Sequence, residues 1–362
     1  MGAAMLLARS TIEVEGAAEL LDRLCDHFAE HGAVERDGAC GRIDFGYGQA
    51  RLSALPAGLE AEVEARDPTY LAYVKMGVAE HVLEMARGPA PVIRWQGDGD
   101  GLVVPPFFRE MRVVSSHRLS PHMQRVRLSG ADLQRFAVGG LHVRLLFPPQ
   151  GRAPVWPTLA EDGRILWPQG PDALDNRVYT LRHIDPQAGH VDIDIVLHEG
   201  EATPGSRFAL QAAPGDVVGM TGPGGGDVPE AQTLLLVGDE TAHPAIARIL
   251  EALPATARAH VVAEFDGPDD APRFACAGEM SVTLLPRNGL PAGTAGLLPR
   301  AVEALDFAAL GPSLFVWVGC EFSDFVALRR HLRKDRRIAK KDHLAVAYWR
   351  RHHAGDDARH ED

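Results

Sequence analysis

The period of hydrophobic and polar positions changes along the chain, and each change marks a different architecture. In the N-terminal stretch, Thr11 to Val14 reads as a short strand, and Leu20, Leu21, Leu24, Cys25 and Phe28 then fall at helical spacing. Ile43 and Phe45, then Leu52 and Ala54, then Leu59, Ala61, Val63 and Ala65 alternate with polar neighbours, as half-buried strands do. Asp67-Pro68 is a helix-start signal, and Tyr70, Leu71, Val74, Val78, His81, Val82 and Met85 follow with a helical period. The order β-α-β-β-β-α predicts a small α+β domain over residues 10–87. Residues 88–107, GPAPVIRWQGDGDGLVVPPF, are rich in Gly, Pro and Asp and read as a linker.

From Arg109 the pattern becomes short alternating runs punctuated by Gly and Pro. The expected strands are Met111 to Ser115, Met123 to Leu128, Leu141 to Phe147, Arg177 to His183, Val191 to Leu197 and Val217 to Thr221. Such spacing predicts an antiparallel β-barrel over 108–226. Beyond it, apolar strands (233–237, 259–265, 281–285, 314–318 and 344–349) alternate with helices near 246–253, 297–310 and 322–332. That alternation predicts an α/β domain with a mostly parallel, covered sheet over 232–351, followed by a tail at 352–362.

Composition narrows the function classes. A net charge of −12 argues against non-specific nucleic-acid or membrane binding, so an anionic ligand has to be held by local basic groups. No apolar run has the length of a membrane span and the N-terminus lacks the order of a signal peptide, so no membrane insertion and a cytoplasmic location are expected. Cys25, Cys40, Cys276 and Cys320 match no zinc, iron–sulfur or disulfide spacing. His27 and His31 are four apart on a helix, with His81 on the next, but no further ligand presents itself; solvated histidines and no metal site are expected.

The candidate chemistry lies in three places. Residues 177–226 open with Arg177, Tyr179 and Thr180: a bidentate cation, a flat ring and a hydroxyl on one strand. The strand ending at His198 runs into a Gly-Pro loop, Gly200 to Ser206, whose backbone N–H groups suit an anion. In the α/β domain two strand ends stand out. Gly238-Asp239-Glu240-Thr241-Ala242 precedes a helix N-terminus, and Trp317-Val318-Gly319-Cys320-Glu321 ends another strand. No nucleophile–base pair is evident, and Cys320 is expected to be a packed thiol. The run Arg329 to Arg337 is strongly basic within an acidic chain.

Taken in order, these elements resemble the siderophore-interacting proteins, a branch of the ferredoxin-reductase-like flavoenzymes. The resemblance rests on Arg177-Val178-Tyr179-Thr180-Leu181-Arg182, Asp194-Ile195-Val196-Leu197-His198, Pro204-Gly205-Ser206-Arg207-Phe208-Ala209, Pro214-Gly215-Asp216 and Gly222-Pro223-Gly224-Gly225. It continues in Gly238-Asp239-Glu240-Thr241-Ala242, in Trp317 to Glu321 and in Ala347-Tyr348-Trp349-Arg350. The N-terminal stretch resembles a small uncharacterised domain that some of these proteins carry.

The family resemblance implies a multidomain α+β chain: a small α+β domain, a β-barrel FAD domain and an α/β NAD(P)-binding domain. It implies that Arg177 holds the FAD pyrophosphate, Tyr179 stacks on the isoalloxazine, Thr180 bonds near flavin N5 and His198 lies close by. Thr203, Gly205 and Ser206 would receive the pyrophosphate, and Gly238, Asp239, Thr241, Ala242, Cys320 and Glu321 would flank the nicotinamide. Thr203 stands where the family has glycine, and Phe208 where it has tryptophan. The implied activity is FAD-dependent reduction of a ferric siderophore by NADPH or NADH, with ferredoxin open as donor. A general NAD(P)H:flavin or ferric-chelate reductase and a non-catalytic siderophore-binding protein are the alternatives.

Overall fold

The computed structural model describes residues 4–30, 32–197, 203–311 and 313–353. The chain forms two compact units, residues 1–108 with 149–174, and residues 109–148 with 175–362. In the first unit, β1 (Leu6–Glu13), α1 (Ala17–Phe28), β2 (Ala33–Asp37), β3 (Cys40–Asp44), β4 (Gly48–Leu55), β5 (Gly58–Ala65), α2 (Pro68–Met85) and β6 (Gln96–Gly97) follow in order. The six strands pair as β2-β3-β4-β5-β1-β6, and both helices contribute to the core. Asp67 caps α2, its carboxylate accepting from Thr69 N at 2.8 Å and Tyr70 N at 3.0 Å, with Pro68 in the first turn.

Strand β2 was absent from the sequence expectation. Its residues, AVERD, are almost all exposed at the sheet edge, so they carry no apolar alternation. The expected linker also differs. Ile93 and Trp95 are 3% and 5% exposed in the first core, and Gln96 and Gly97 pair with β1. Trp95 Nε1 donates to Asp162 O at 2.8 Å, tying in residues 149–174.

The second unit opens with β7 (Phe108–Ser120), β8 (Met123–Ser129) and β9 (His142–Phe147). The next short strands, β10 (Thr158–Leu159) and β11 (Ile165–Leu166), form a hairpin in the part of the chain that packs with the first unit. Then come β12 (Asp175–Asp185), β13 (His190–Val196), α3 (Pro204–Gln211) and β14 (Val217–Gly224). These strands close into a barrel in the order β12-β13-β8-β7-β14-β9, filled by Val126, Leu128, Val143, Leu145, Leu181 and Ile193 among others. The acids alternating with that core on β13 are also buried. Asp192 and Asp194 are each gripped bidentately by Arg127 and Arg125 of β8, at 2.6–2.8 Å.

The α/β part holds β15 (Thr233–Gly238), α4 (His243–Ala252), β16 (Arg258–Phe265), β17 (Glu279–Pro286), α5 (Leu297–Glu303), β18 (Leu314–Glu321), α6 (Phe322–Arg330) and β19 (His343–Trp349). Its sheet is parallel, ordered β17-β16-β15-β18-β19, so the strand order reverses between β15 and β18. Buried clusters cover both faces of this sheet. Helix α4 is clamped to the barrel. Arg182 grips Glu251 at 2.8 and 2.5 Å, and Arg248 donates to the carbonyls of Leu141 and Leu181.

Trp95→Ala is expected to destabilise the first unit by about 3–4 kcal/mol, the usual cost of truncating a buried Trp. Differential scanning calorimetry should show one transition moved and the transition of the second unit unchanged.

Candidate functional site

Strand β12 sets out the residues singled out in the sequence. Leu181 and Tyr179 stand opposite Ile193 and Val143 in register and join the barrel core, while Thr180 faces the other way, opposite His142. Arg177 is half-buried; its guanidinium donates to Asn176 O at 2.6 Å and meets no carboxylate among the described residues. Tyr179 is half-buried, its ring edge-on to Phe147, and burial pushes its phenol pKa up. Thr180 is 3% exposed and its Oγ1 is buried without a partner. A buried hydroxyl with no protein partner is costly, which leaves this atom open to a bound water or ligand.

The Gly-Pro loop turns into a helix sooner than expected: Pro204 to Ser206 form the first turn of α3. Thr203 is its N-cap, accepting from Ser206 N at 3.3 Å, which gives the departure from glycine a structural role. Ser206 Oγ donates to Val196 O at 3.2 Å. A Cβ added at Gly205 would lie 1.7 Å from Tyr179 Oη, so only glycine lets this helix start close over the ring. Phe208 packs on Phe147 at 5.1 Å and seals the barrel end. His198 lies outside the described residues. Arg177, Tyr179, Thr180 and the α3 N-terminus therefore fit a flavin nucleotide: a guanidinium that meets no acid, a ring under glycine, an orphan hydroxyl and a helix start.

In the α/β part of this unit, the carboxyl ends of β15 and β18 flank the point where strand order reverses, the usual ligand crevice of such sheets. A Cβ at Gly238 would lie 2.5 Å from Ala242 Cβ and 2.8 Å from Gly319 O, so this glycine brings α4 against the strand ends.

Three known families match the chain. The "Siderophore-interacting FAD-binding domain" covers residues 112–227, "Siderophore-interacting protein" covers 231–352, and an uncharacterized protein family conserved in bacteria covers 9–96. A "Ferric vibriobactin reductase" of Vibrio cholerae is 33% identical over 258 residues, 70% of this chain and 93% of that protein. The chain belongs to the siderophore-interacting proteins. An "NADPH-dependent ferric-chelate reductase" of Escherichia coli is 39% identical over 150 residues, 40% of this chain and 57% of that one. The crystal structure of a siderophore utilization protein from T. fusca superposes with a TM-score of 0.61 at 35% identity, covering 69% of this chain and 95% of that one.

In this siderophore-interacting protein the side chains at the strand ends differ from the sequence expectation. Asp239 is 4% exposed and spent internally. One oxygen accepts from Thr241 N at 3.0 Å and from Thr241 Oγ1, and the other from Glu321 N at 2.9 Å and Trp349 Nε1 at 2.8 Å. Glu321 is 2% exposed, caps α6 through Ser323 N and accepts from Arg351 N at 3.2 Å. Cys320, expected to bind cofactor, turns its thiol into the core with Val237, Val316 and Leu328; burial raises its pKa well above the ordinary value. A packed thiol at 320 is what its residue type led one to expect, and successive strand residues face opposite sides of the sheet.

Sequence reasoning missed a buried ionic cluster beside this crevice. Arg287 grips both oxygens of Glu240, at 2.6 and 2.8 Å, and reaches Glu264 at 3.4 Å, with all three nine-tenths buried. Burial, then the nearby Asp239 charge, raises the Glu264 pKa to about 7. Burial, then Glu240, raises Asp239 to about 6. His243 goes the other way, lowered by burial to about 4. A second missed group joins the barrel to the sheet. Asp270 accepts from Ser120 Oγ, His122 N and the His122 ring at 2.5–2.9 Å, and with Asp266 the three place ligand-type atoms within 4.8 Å. Asp270 is already satisfied there, so the group reads as a brace. The only signal for either cluster was an acid at a strand end, which does not say what it pairs with.

A carboxyl whose folded pKa lies above its ordinary 4.5 stabilises the fold fully below that value and loses the contribution as pH rises through about 7. Glu264→Gln should therefore gain stability over the unmodified chain between pH 5 and pH 8, by about 1–2 kcal/mol. Urea unfolding at both pH values checks the sign.

Proposed function

We propose that the chain binds FAD across β12 and α3, takes hydride from NAD(P)H at the carboxyl edge of the parallel sheet, and reduces a ferric siderophore to release Fe(II). The observation that carries this reading is the buried, unpartnered Thr180 hydroxyl beside a tyrosine ring roofed by Gly205. Bound FAD would supply the conversion of one hydride into two single electrons, which no side chain provides.

The residues have distinct tasks. Arg177 holds the pyrophosphate through its fork, together with the Gly205 N–H at the start of α3. Tyr179 would lie against the isoalloxazine, its phenol pKa raised further by burial. Thr180 would bond at the N5 edge. Gly238, Thr241 and Ala242 shape the nicotinamide crevice. Asp239, Glu321 and Cys320 work from behind it, fixing where the backbone of the strand ends lies.

The basic run divides in two. Arg333 donates to His343 Nε2, and Arg336 lies over Phe307 and donates to His331, so both serve the fold. Arg330, Lys334, Arg337, Lys340 and Lys341 remain exposed. They give an anionic iron chelate a local positive field on a chain of net charge −12. Working in the cytoplasm fits four cysteines that are all free thiols. The names of the V. cholerae and E. coli relatives support ferric reduction as the activity.

The purified protein should be yellow or become so on adding FAD, and the flavin absorbance should bleach anaerobically with NADPH or NADH. A flavin that neither nucleotide bleaches would point to ferredoxin as donor, and a chain that takes up no FAD would sink the reading. Arg177→Ala should weaken FAD binding about tenfold or more, the worth of a lost charge-assisted contact. Gly205→Ala should do the same by displacing the Tyr179 ring. Fluorescence titration of FAD against each variant measures both.

A further inference from the structure

A sheet edge presents a row of backbone N–H and C=O groups, and most edges of this chain are blunted against pairing. The barrel is closed and has none. In the first sheet, edge strand β2 carries Glu35, Arg36 and Asp37, and edge strand β6 is two residues long. In the parallel sheet, edge strand β19 breaks register against β18 at Cys320/Glu321. Strand β17, the opposite edge, carries none of these devices. Its eight residues, EMSVTLLP, run in unbroken register along β16 from Glu279 to Pro286. No charged residue follows Glu279 before Arg287, and the one proline is the last residue of the strand.

The bonds at the two ends of β17 fix which way its backbone groups point. Glu279 N donates to Ala257 O at 3.1 Å, and Arg287 N donates to Phe265 O at 2.8 Å. Backbone groups alternate along a strand, so the odd-numbered residues face β16. Met280, Val282 and Leu284 therefore turn their N–H and C=O outward. Among the described residues β17 pairs with β16 alone, and no other backbone bond reaches those three. Pro286, which has no N–H, takes the next outward position, where the sheet loses no bond. The same three outward residues share one face of the sheet. Met280 packs there on the buried cluster beneath, while Val282 and Leu284 are 39% and 42% exposed.

We propose that β17 is a self-association edge: two copies of the chain pair their β17 strands antiparallel about a two-fold axis at Val282, joining their parallel sheets into one continuous sheet. In that register Val282 faces its own mate, and Met280 faces Leu284 of the other copy. Facing residues of this kind exchange both N–H···O=C bonds, so every outward donor and acceptor is used. An axis one residue further, at Thr283, would set Met280 against Pro286, which has no N–H to return. The Met280, Val282 and Leu284 side chains of both copies then meet on one face. Glu279 comes beside Leu285, not beside another acid, and stays paired with Arg258 of its own chain at 3.2 Å. Charge favours a second copy as the occupant. Each copy carries −12, and the uncharged run from Met280 to Pro286 lets two such molecules touch without like charges in contact. Strand β16 separates β17 from β15, so the crevice between β15 and β18 is not part of the contact, and the pairing does not depend on the flavin reading.

The test uses the full-length chain in sedimentation velocity over a range of concentrations, with amide hydrogen exchange as the second readout. The unmodified chain should sediment as a dimer, and the amides of Met280, Val282 and Leu284 should be protected in it. Val282→Lys sets two ammonium groups against each other at the axis. It should raise the dissociation constant about 100-fold, because like charges brought together at an interface cost several kcal/mol. Leu284→Pro removes an outward N–H that β16 does not use, so the fold is kept while bonds across the axis are lost. It should weaken the dimer about tenfold or more, with the far-UV circular dichroism unchanged. A chain that stays monomeric at all concentrations overturns the proposal. So does a dimer that neither variant weakens, or one in which the three amides exchange as on a free edge. Protection that appears only when a different protein is added gives the edge to another partner and overturns self-pairing. Growth beyond the dimer overturns it too, since a two-fold contact closes on itself.

Discussion

A single buried carboxylate holds the carboxyl edge of the parallel sheet together. Asp239 collects donors from the turn after β15, from the end of β18 and from the end of β19. Those three strand ends sit where the strand order reverses, so the crevice exists only while they stay level. Burying a carboxylate without partners is costly, and four donors offset that cost here. The raised pKa of Asp239 shows that desolvation still outweighs them. Neighbouring residues are arranged around this carboxylate. Gly238 and Gly319 are small so that α4 and Tyr348 can approach, and Glu321 bonds Asp239 through its N–H while its own carboxylate caps α6.

The barrel is organised by a different constraint, the two-residue period of β12. Alternation sends Tyr179 and Leu181 toward the core and leaves Thr180 on the outer face with His142. The same strand continues to Arg182, whose bidentate grip on Glu251 fixes α4 against the barrel. Successive residues of one strand thereby reach the barrel core, its outer face and helix α4. Few substitutions in it would affect only one of those roles.

Periodicity made the fold legible where one face is buried and the other is not. The barrel strands, the parallel strands and both N-terminal helices fall where alternation or helical spacing placed them, and Asp67-Pro68 starts α2 as the capping rule requires. The pattern was silent at β2, an edge strand with hardly any buried face, and misleading over residues 88–107, where turn residues hide two anchors, Ile93 and Trp95. The candidate site was legible as a set of residues and not as directions. Motif order picked out Asp239, Cys320 and Glu321, but which way a side chain turns depends on strand parity and on partners eighty or more residues away. The Glu240–Arg287–Glu264 cluster and the His142–Tyr348 contact are of the same kind, assembled from separate elements by the sheet and the barrel.

The division of the chain has a consequence for how such a protein can be taken apart. The polypeptide passes between the two units at 108/109, 148/149 and 174/175, so the first unit is built from two separated stretches. The family match of the N-terminal domain stops at residue 96, yet Trp95 is anchored by the carbonyl of Asp162, which comes from a stretch framed by barrel strands. Deleting the N-terminal domain at its apparent boundary would strip that excursion of its packing partners, and a single proteolytic cut could not release either unit whole. The excursion between β9 and β12 lies inside the stretch matched by the FAD-binding family, so the first unit is assembled from residues of two families. Family boundary and structural boundary do not coincide in this chain.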